Sequence, residues 1–241
     1  MGKIIKIENQ NLAKYIMFKL DKLENEFTEE ELDKITEVVI NYEDESDSSF
    51  IFLEDLLKIK KLKSITLRNG EIYNDNYNIF LKLNNLSELV LENCEFEKVE
   101  LICSLNLKSL SLINCEIKDY TFINALENLE ELTIINGSIE INKINKLHNL
   151  KYLQISYSNV IDNTKLNIPS LEELYIDNTN INTFEFLKEL NNLKTVSIDR
   201  TQYNNSKEIF NNLIKNNISV LNESMFEFGG EDNALWFKNT F

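Results

Sequence analysis

The stretch LEELYIDNTNINTFEFLKELNN, residues Leu171 to Asn192, decides the fold. Its apolar residues fall at Leu171, Leu174, Ile176, Ile181, Phe184, Leu187 and Leu190, a spacing that fits neither a strand period of 2 nor a helix period of 3.6 throughout. The first part alternates: Leu174 and Ile176 point one way, Glu173, Tyr175 and Asp177 the other. The second part, from Ile181 to Leu190, has no alternation and reads as a return segment.

The same pattern recurs along the chain. LKSITLRNG starts at Leu62, LSELVLENC at Leu86, LKSLSLINC at Leu107, LEELTIING at Leu129, LKYLQISYS at Leu150, LEELYIDNT at Leu171 and LKTVSIDRT at Leu193. The steps are 24, 21, 22, 21, 21 and 22 residues. Two weaker copies flank these: ITEVVINYE from Ile35, and KNNISVLNE from Lys215, placed one 22-residue step after Leu193. About nine rungs are therefore expected. With strands roughly 4.8 Å apart, eight steps span an arc of about 38 Å. One unit cannot bury enough apolar surface to offset the entropy of ordering its backbone, so stability must come from stacking neighbours. Units of 21–22 residues leave little room for a full α-helix on the return side, where extended or 3₁₀ structure and short helical turns are expected.

This repeat is similar to the leucine-rich repeat, L-x-x-L-x-L-x-x-N-x-L. The resemblance implies an α/β solenoid with a curved parallel β-sheet on its concave face. The ninth position, usually Asn in that family, holds Gly70, Cys94, Cys115, Gly137, Ser158, Thr179 and Thr201, all small. In five repeats Asn stands one residue earlier, as Asn69, Asn93, Asn114, Asn136 and Asn178, and is expected to bond its own turn locally.

Residues 1–34 read as a helical N-terminal cap, 35–222 as repeats and 223–241 as a C-terminal cap or tail, together a single domain of 1–241. NQNLAKYIMFKLDKLENE places Leu12, Ile16 and Leu20 on one helical face, with Met17 beside them. FTEEELDKI carries a capping box, Thr28 with Glu31, before a short helix. Two helices followed by a first rung, together with the 22-residue unit, resemble the bacterial internalin group over about residues 5–222. The secretion signal, Ig-like domain and wall anchor usual in that group are not seen in the sequence. SKEIFNNLIKNN predicts a helix with Ile209, Phe210, Leu213 and Ile214 apolar. Beyond it, Phe226, Phe228, Leu235, Trp236, Phe237 and Phe241 form an aromatic segment, read as a cover for the last rung or as an element that inserts into a partner or a second copy.

Composition narrows the partners. A chain of 241 residues with 43% hydrophobic content carries a net charge of −15 and a pI near 4.6. Such a surface repels phosphate backbones and anionic headgroups, so neither nucleic acid nor membrane is expected as partner. The expected partner is a protein with a basic surface. No apolar run approaches a membrane span, no leader is visible, and Lys6 breaks the myristoylation pattern that Gly2 would begin. A cytoplasmic setting is expected, with secretion by a signal-less route left open.

Catalysis, cofactor and metal have no constellation in the sequence. His148 is the single histidine and sits in a turn without a positioned neighbour. Cys94 and Cys115 occupy equivalent places on adjacent rungs and read as reduced thiols filling a small inward slot. Glu43, Asp44, Glu45 and Asp47 in YEDESDSSF lack calcium-loop spacing and read as a solvated loop. The candidate site is the concave face, which this architecture uses for binding. Its C-terminal half sets Tyr152, Gln154 and Tyr175 among Glu131, Glu173, Asp177 and Asp199, a combination suited to a basic protein surface. The leading reading is a non-enzymatic interaction scaffold. Two alternatives remain: an acidic inhibitor or immunity-type protein neutralising a toxin or nuclease, and a secreted host-directed effector.

Overall fold

The computed structural model of the chain describes residues 3–42, 53–161 and 166–222. The acidic loop residues Glu43, Asp44, Glu45 and Asp47, and the aromatic segment 223–241, lie outside them. Among the described residues a nine-stranded parallel sheet runs in chain order: β1 (Glu37–Asn41), β2 (Ser64–Arg68), β3 (Glu88–Glu92), β4 (Ser109–Ile113), β5 (Glu131–Ile135), β6 (Tyr152–Gln154), β7 (Glu173–Tyr175), β8 (Thr195–Ile198) and β9 (Ser219–Asn222). Each strand pairs only with its sequence neighbours, the topology of a solenoid. The inward residues stack in two rows through the core: Val38, Ile65, Leu89, Leu110, Leu132, Leu153, Leu174 and Val196, then Ile40, Leu67, Leu91, Leu112, Ile134, Ile155, Ile176 and Ile198, all essentially buried.

From Leu62 onward, repeat length sets what lies opposite the sheet. Repeats of 21 or 22 residues return through 3₁₀ turns at Val99–Ser104, Thr121–Ala125, Ile141–Ile144 and Glu185–Glu189. The 24-residue step that begins at Leu62 instead carries the α-helix α3 (Asn74–Phe80). Phe186, which the spacing of the opening stretch skips, is buried beside Phe184 at 6.5 Å between ring centroids.

The last rung differs from its expected register. Thr195 pairs with Ser219 and Val196 with Val220, so this step is 24 residues rather than 22. The extra length holds two helices, α4 (Arg200–Asn205) and α5 (Lys207–Lys215). The sequence pattern points only to α5. Phe210 of α5 packs edge-on against Phe184, 4.9 Å between centroids, and Leu213 is buried, while Ile214 stays half exposed.

At the other end α1 (Gln10–Lys19) lies against β1, with Leu12, Ala13 and Ile16 buried. The Asn9 side chain caps α1 by accepting from the Leu12 N–H at 2.9 Å. α2 (Glu29–Leu32) has the capping box read from its sequence, the Thr28 N–H donating to Glu31 at 2.7 Å. The buried carboxylate of Asp55 ties the segment before α1 to the first return turn, accepting the N–H groups of Glu8 and Asn9.

The turn after each strand is built by Asn and the small residue together. Asn69, Asn93, Asn114, Asn136 and Asn178 all have φ between 51° and 59°, the left-handed region that Asn tolerates. Four of their side chains bond across rungs rather than locally as expected, whereas Asn178 bonds the neighbouring Asp177. The amide of Asn69 donates to Asn41 (2.8 Å), Asn93 to Asn69 (2.8 Å), Asn114 to Asn93 (2.9 Å) and Asn136 to Asn114 (2.5 Å), a ladder along the exposed rim. The left-handed backbone turns each amide outward, where the nearest polar group is the same residue one rung away. The small residue then faces inward: the thiols of Cys94 and Cys115 lie 3.5 and 3.4 Å from the carbonyls of Leu67 and Leu91 on the preceding rungs. Both thiols are free and buried, and burial pushes them up to about 12 and about 11.

Candidate functional site

Register aligns the outward residues of the sheet into rows. Glu131, Tyr152, Glu173 and Thr195 form one row across β5 to β8, and Thr133, Gln154, Tyr175 and Ser197 the next. Tyr152 therefore stands between two glutamates, each one strand spacing away, roughly 4.8 Å. The rings of Tyr152 and Tyr175 meet with centroids 5.1 Å apart and planes tilted by 35°. Both are half-buried, and burial, followed by the nearby carboxylates and phenols, raises both hydroxyls; Tyr175 is pushed up to about 12. At neutral pH the two phenols are donors, Tyr152 to Gln154 at 2.9 Å and Tyr175 to Glu173 at 3.1 Å.

The structure divides the seven residues singled out by the sequence. Glu131 is exposed, and Tyr152, Gln154, Glu173 and Tyr175 are partly exposed on the concave face. Asp177 is not an outward residue free of the fold: it is 2% exposed. Its Oδ1 accepts hydroxyl hydrogen bonds from Ser156 (3.0 Å) and Ser197 (3.4 Å), on the rungs to either side. Burial raises its carboxyl above the ordinary aspartate value despite those bonds. Asp199 is also used by the fold. It is the N-cap of α4, accepting from the N–H groups of Thr201 (2.7 Å) and Gln202 (2.9 Å), and its second oxygen accepts from the Asn178 N–H at 3.2 Å. Both lie beyond the strands that precede them, since β7 ends at Tyr175 and β8 at Ile198 before the chain turns.

Ser156 extends the site in a way that spacing does not show. The Gln154 amide donates to Ser156 at 3.3 Å, so hydrogen bonds run from Tyr152 through Gln154 and Ser156 to Asp177. Tyr157, the next residue, has φ 56° where five other rungs place Asn, and is exposed. The regular amide ladder thus reaches Asn136 and stops beside the tyrosine pair. The signal was present in the sequence as an aromatic at a position that five repeats give to Asn.

Charge is distributed unevenly over the concave face. In the N-terminal half Glu37 pairs with Lys19 and Glu92 with Arg68, both at 2.7 Å. On the rim before the strands, Glu130 pairs with Lys108 (3.2 Å) and Lys151 (2.8 Å), and Glu172 with Lys194. Among the described residues no lysine or arginine is within ion-pairing distance of Glu131, Glu173 or Asp177. His148 lines a polar groove on that same rim with Lys108, Glu130, Lys151 and Glu172, away from the tyrosine pair. Among the described residues no group of three or more His, Cys, Asp or Glu side chains could hold a metal ion, and no helix is long and apolar enough to cross a membrane.

Comparison with solved structures bears on the fold. Internalin C2 from Listeria monocytogenes superposes with a TM-score of 0.64 at 24% identity, over 83% of this chain and 89% of that one. The fold is that of an internalin-type leucine-rich-repeat protein. A second internalin-type structure, InlP of Listeria monocytogenes, superposes with a TM-score of 0.51 at 14% identity, over 80% of this chain and 64% of that one. No protein-family model matches the chain, and no curated protein matches it in sequence. Within the internalin-type fold the curved sheet presents the Tyr152–Tyr175 pair on the surface that faces away from the repeat core.

Proposed function

We propose that this protein is a non-enzymatic scaffold that holds a protein partner with a basic surface on the C-terminal half of its concave face. The observation that carries the reading is the tyrosine pair set between carboxylates that, among the described residues, form no salt bridge within the chain. Aromatic residues supply large contact area at low entropic cost and dominate interface energetics. Unpaired acidic groups steer a basic partner and repel anionic surfaces. The net charge of −15 supports a protein rather than nucleic acid or an anionic membrane as the partner. A reducing, cytoplasmic setting is part of the proposal and is supported by the buried free thiols of Cys94 and Cys115.

The test is site-directed. A photo-cross-linking amino acid at position 175 should capture a protein from the native lysate, and the same group at the exposed position 188 should not. Tyr175→Ala combined with Glu173→Lys should abolish untethered capture of that protein while circular dichroism shows the fold intact. Undiminished capture by the double variant would exclude the concave site.

A further inference from the structure

Tyr152 is the only aromatic residue in its row of the sheet, and its neighbours in register are Glu131 and Glu173. The Tyr175 ring closes one side of it. Below, Gln154, Ser156 and Asp177 are committed to one another by hydrogen bonds, so the floor is fixed and offers few free donors. The upper surface is then an aromatic platform with a carboxylate to either side. Elsewhere several glutamates are paired within the chain, with Lys19 and Arg68 on the concave face and with Lys108, Lys151 and Lys194 on the rim. At this platform, among the described residues, no salt bridge holds Glu131 or Glu173, and Lys151, the cation that Glu131 feels, is paired with Glu130 on the rim.

We infer that Tyr152, Tyr175, Glu131 and Glu173 form a receptor for a single arginine side chain of the partner, an assignment that rests on the concave-face reading above. A guanidinium is planar, so it stacks on an aromatic face, and it presents donors in its own plane that reach carboxylates at the platform's edge. An ammonium is a compact, strongly hydrated point charge, which gains less from a ring face and satisfies one carboxylate at a time. Glu131 and Glu173 stand roughly 9.6 Å apart, two strand spacings, which suits a flat group lying between them over Tyr152 better than a sphere. The Tyr175–Glu173 hydrogen bond orients one carboxylate before binding. The site is thus a stacking surface with pre-aimed acceptors, and the arginine is its complement in shape and in charge.

The experiment uses the full chain, with the tyrosine rings labelled for NMR, and three short peptides identical but for their central residue: arginine, lysine or citrulline. The arginine peptide should shift the Tyr152 and Tyr175 ring resonances saturably, and bind at least fivefold more tightly than the lysine peptide. The citrulline peptide, planar but uncharged, should give no saturable shift. Glu173→Gln and Tyr152→Leu should each weaken the arginine peptide at least fivefold, while Glu130→Gln, on the rim, should leave it unchanged. Thermal melts of each variant keep a folding defect separate from a binding defect. Equal affinity for arginine and lysine peptides, saturable citrulline binding, undiminished binding by Glu173→Gln, or no ring shift with arginine would each overturn the assignment. Its failure is distinguishable from failure of the concave-face reading. Capture that depends on position 175 without an arginine response removes the receptor and keeps the interface, whereas an arginine response with capture independent of position 175 does the reverse.

Discussion

Asp177 and Glu173 belong to one rung and lie only four residues apart, yet they have opposite fates. Glu173 reaches the concave surface, while Asp177 is enclosed by Ser156 and Ser197 from the adjacent rungs. Burial raises the Asp177 carboxyl more than the two hydroxyls lower it, which means that its charged form is held at a cost to the native state. The linkage has a definite sign. A carboxyl whose native pKa lies above its unfolded value destabilises the fold at neutral pH, and that penalty disappears as pH falls through the native value toward 3.8. Asp177→Asn retains the shape and removes the charge, with the Ser156 and Ser197 oxygens as acceptors for its amide. The variant should therefore be more stable than the parent at pH 7 in urea unfolding, and its advantage should shrink on acidification. A variant less stable than the parent at pH 7 would show that the carboxylate's hydrogen bonds outweigh its desolvation.

Among the elements, the turn after β5 shows how one rung is fitted to another. Gly137 occupies the ninth repeat position, where its neighbours carry Cys, Ser or Thr. A Cβ at Gly137 would lie 2.6 Å from the hydroxyl of buried Tyr120 and 2.7 Å from Cγ2 of Ile134. Tyr120 thus fills from the preceding rung the slot that a thiol or hydroxyl fills elsewhere. Gly137→Ala should cost about 1–3 kcal/mol of stability, the range for overpacking a filled interior. Tyr120→Phe in the same chain should recover part of that loss by removing the nearer atom, and chemical denaturation of the two variants measures both effects. The glycine is legible in the sequence as a small residue at a tight turn, but its obligation to be glycine is not. That obligation comes from a tyrosine seventeen residues earlier, brought alongside only by stacking.

For the whole molecule, stability is a sum over interfaces between neighbouring units, so weakening an end exposes the next unit. Glu31 is a sensitive point at the N-terminal end. The Thr28 N–H, then the Lys22 ammonium and the Thr28 hydroxyl, hold its carboxyl well below the usual range, at about 2. A depressed carboxyl stabilises the native state fully above its unfolded value of about 4.5, and this contribution is lost as pH falls from there toward 2. Glu31→Gln should lower the thermal midpoint at pH 6 to 7, and the difference from the parent should close between pH 4.5 and 2. The sequence by itself determined the solenoid, because seven copies of one apolar spacing at steps of 21 to 24 residues admit no other way to bury their leucines. It also determined the inward positions of each strand and the capping box at Thr28, since each depends on residues close together in the chain, and the parallel sheet followed from stacking repeated units of one pattern. Only the tertiary structure decided the roles of the polar residues: the inter-rung amide ladder, the burial of Asp177, the capping duty of Asp199, the two helices of the last repeat and the pairing of Tyr152 with Tyr175. The physical reason is that alternation reports which side of a strand a residue takes, whereas a polar side chain's partner stands one full repeat away and meets it only when the rungs stack.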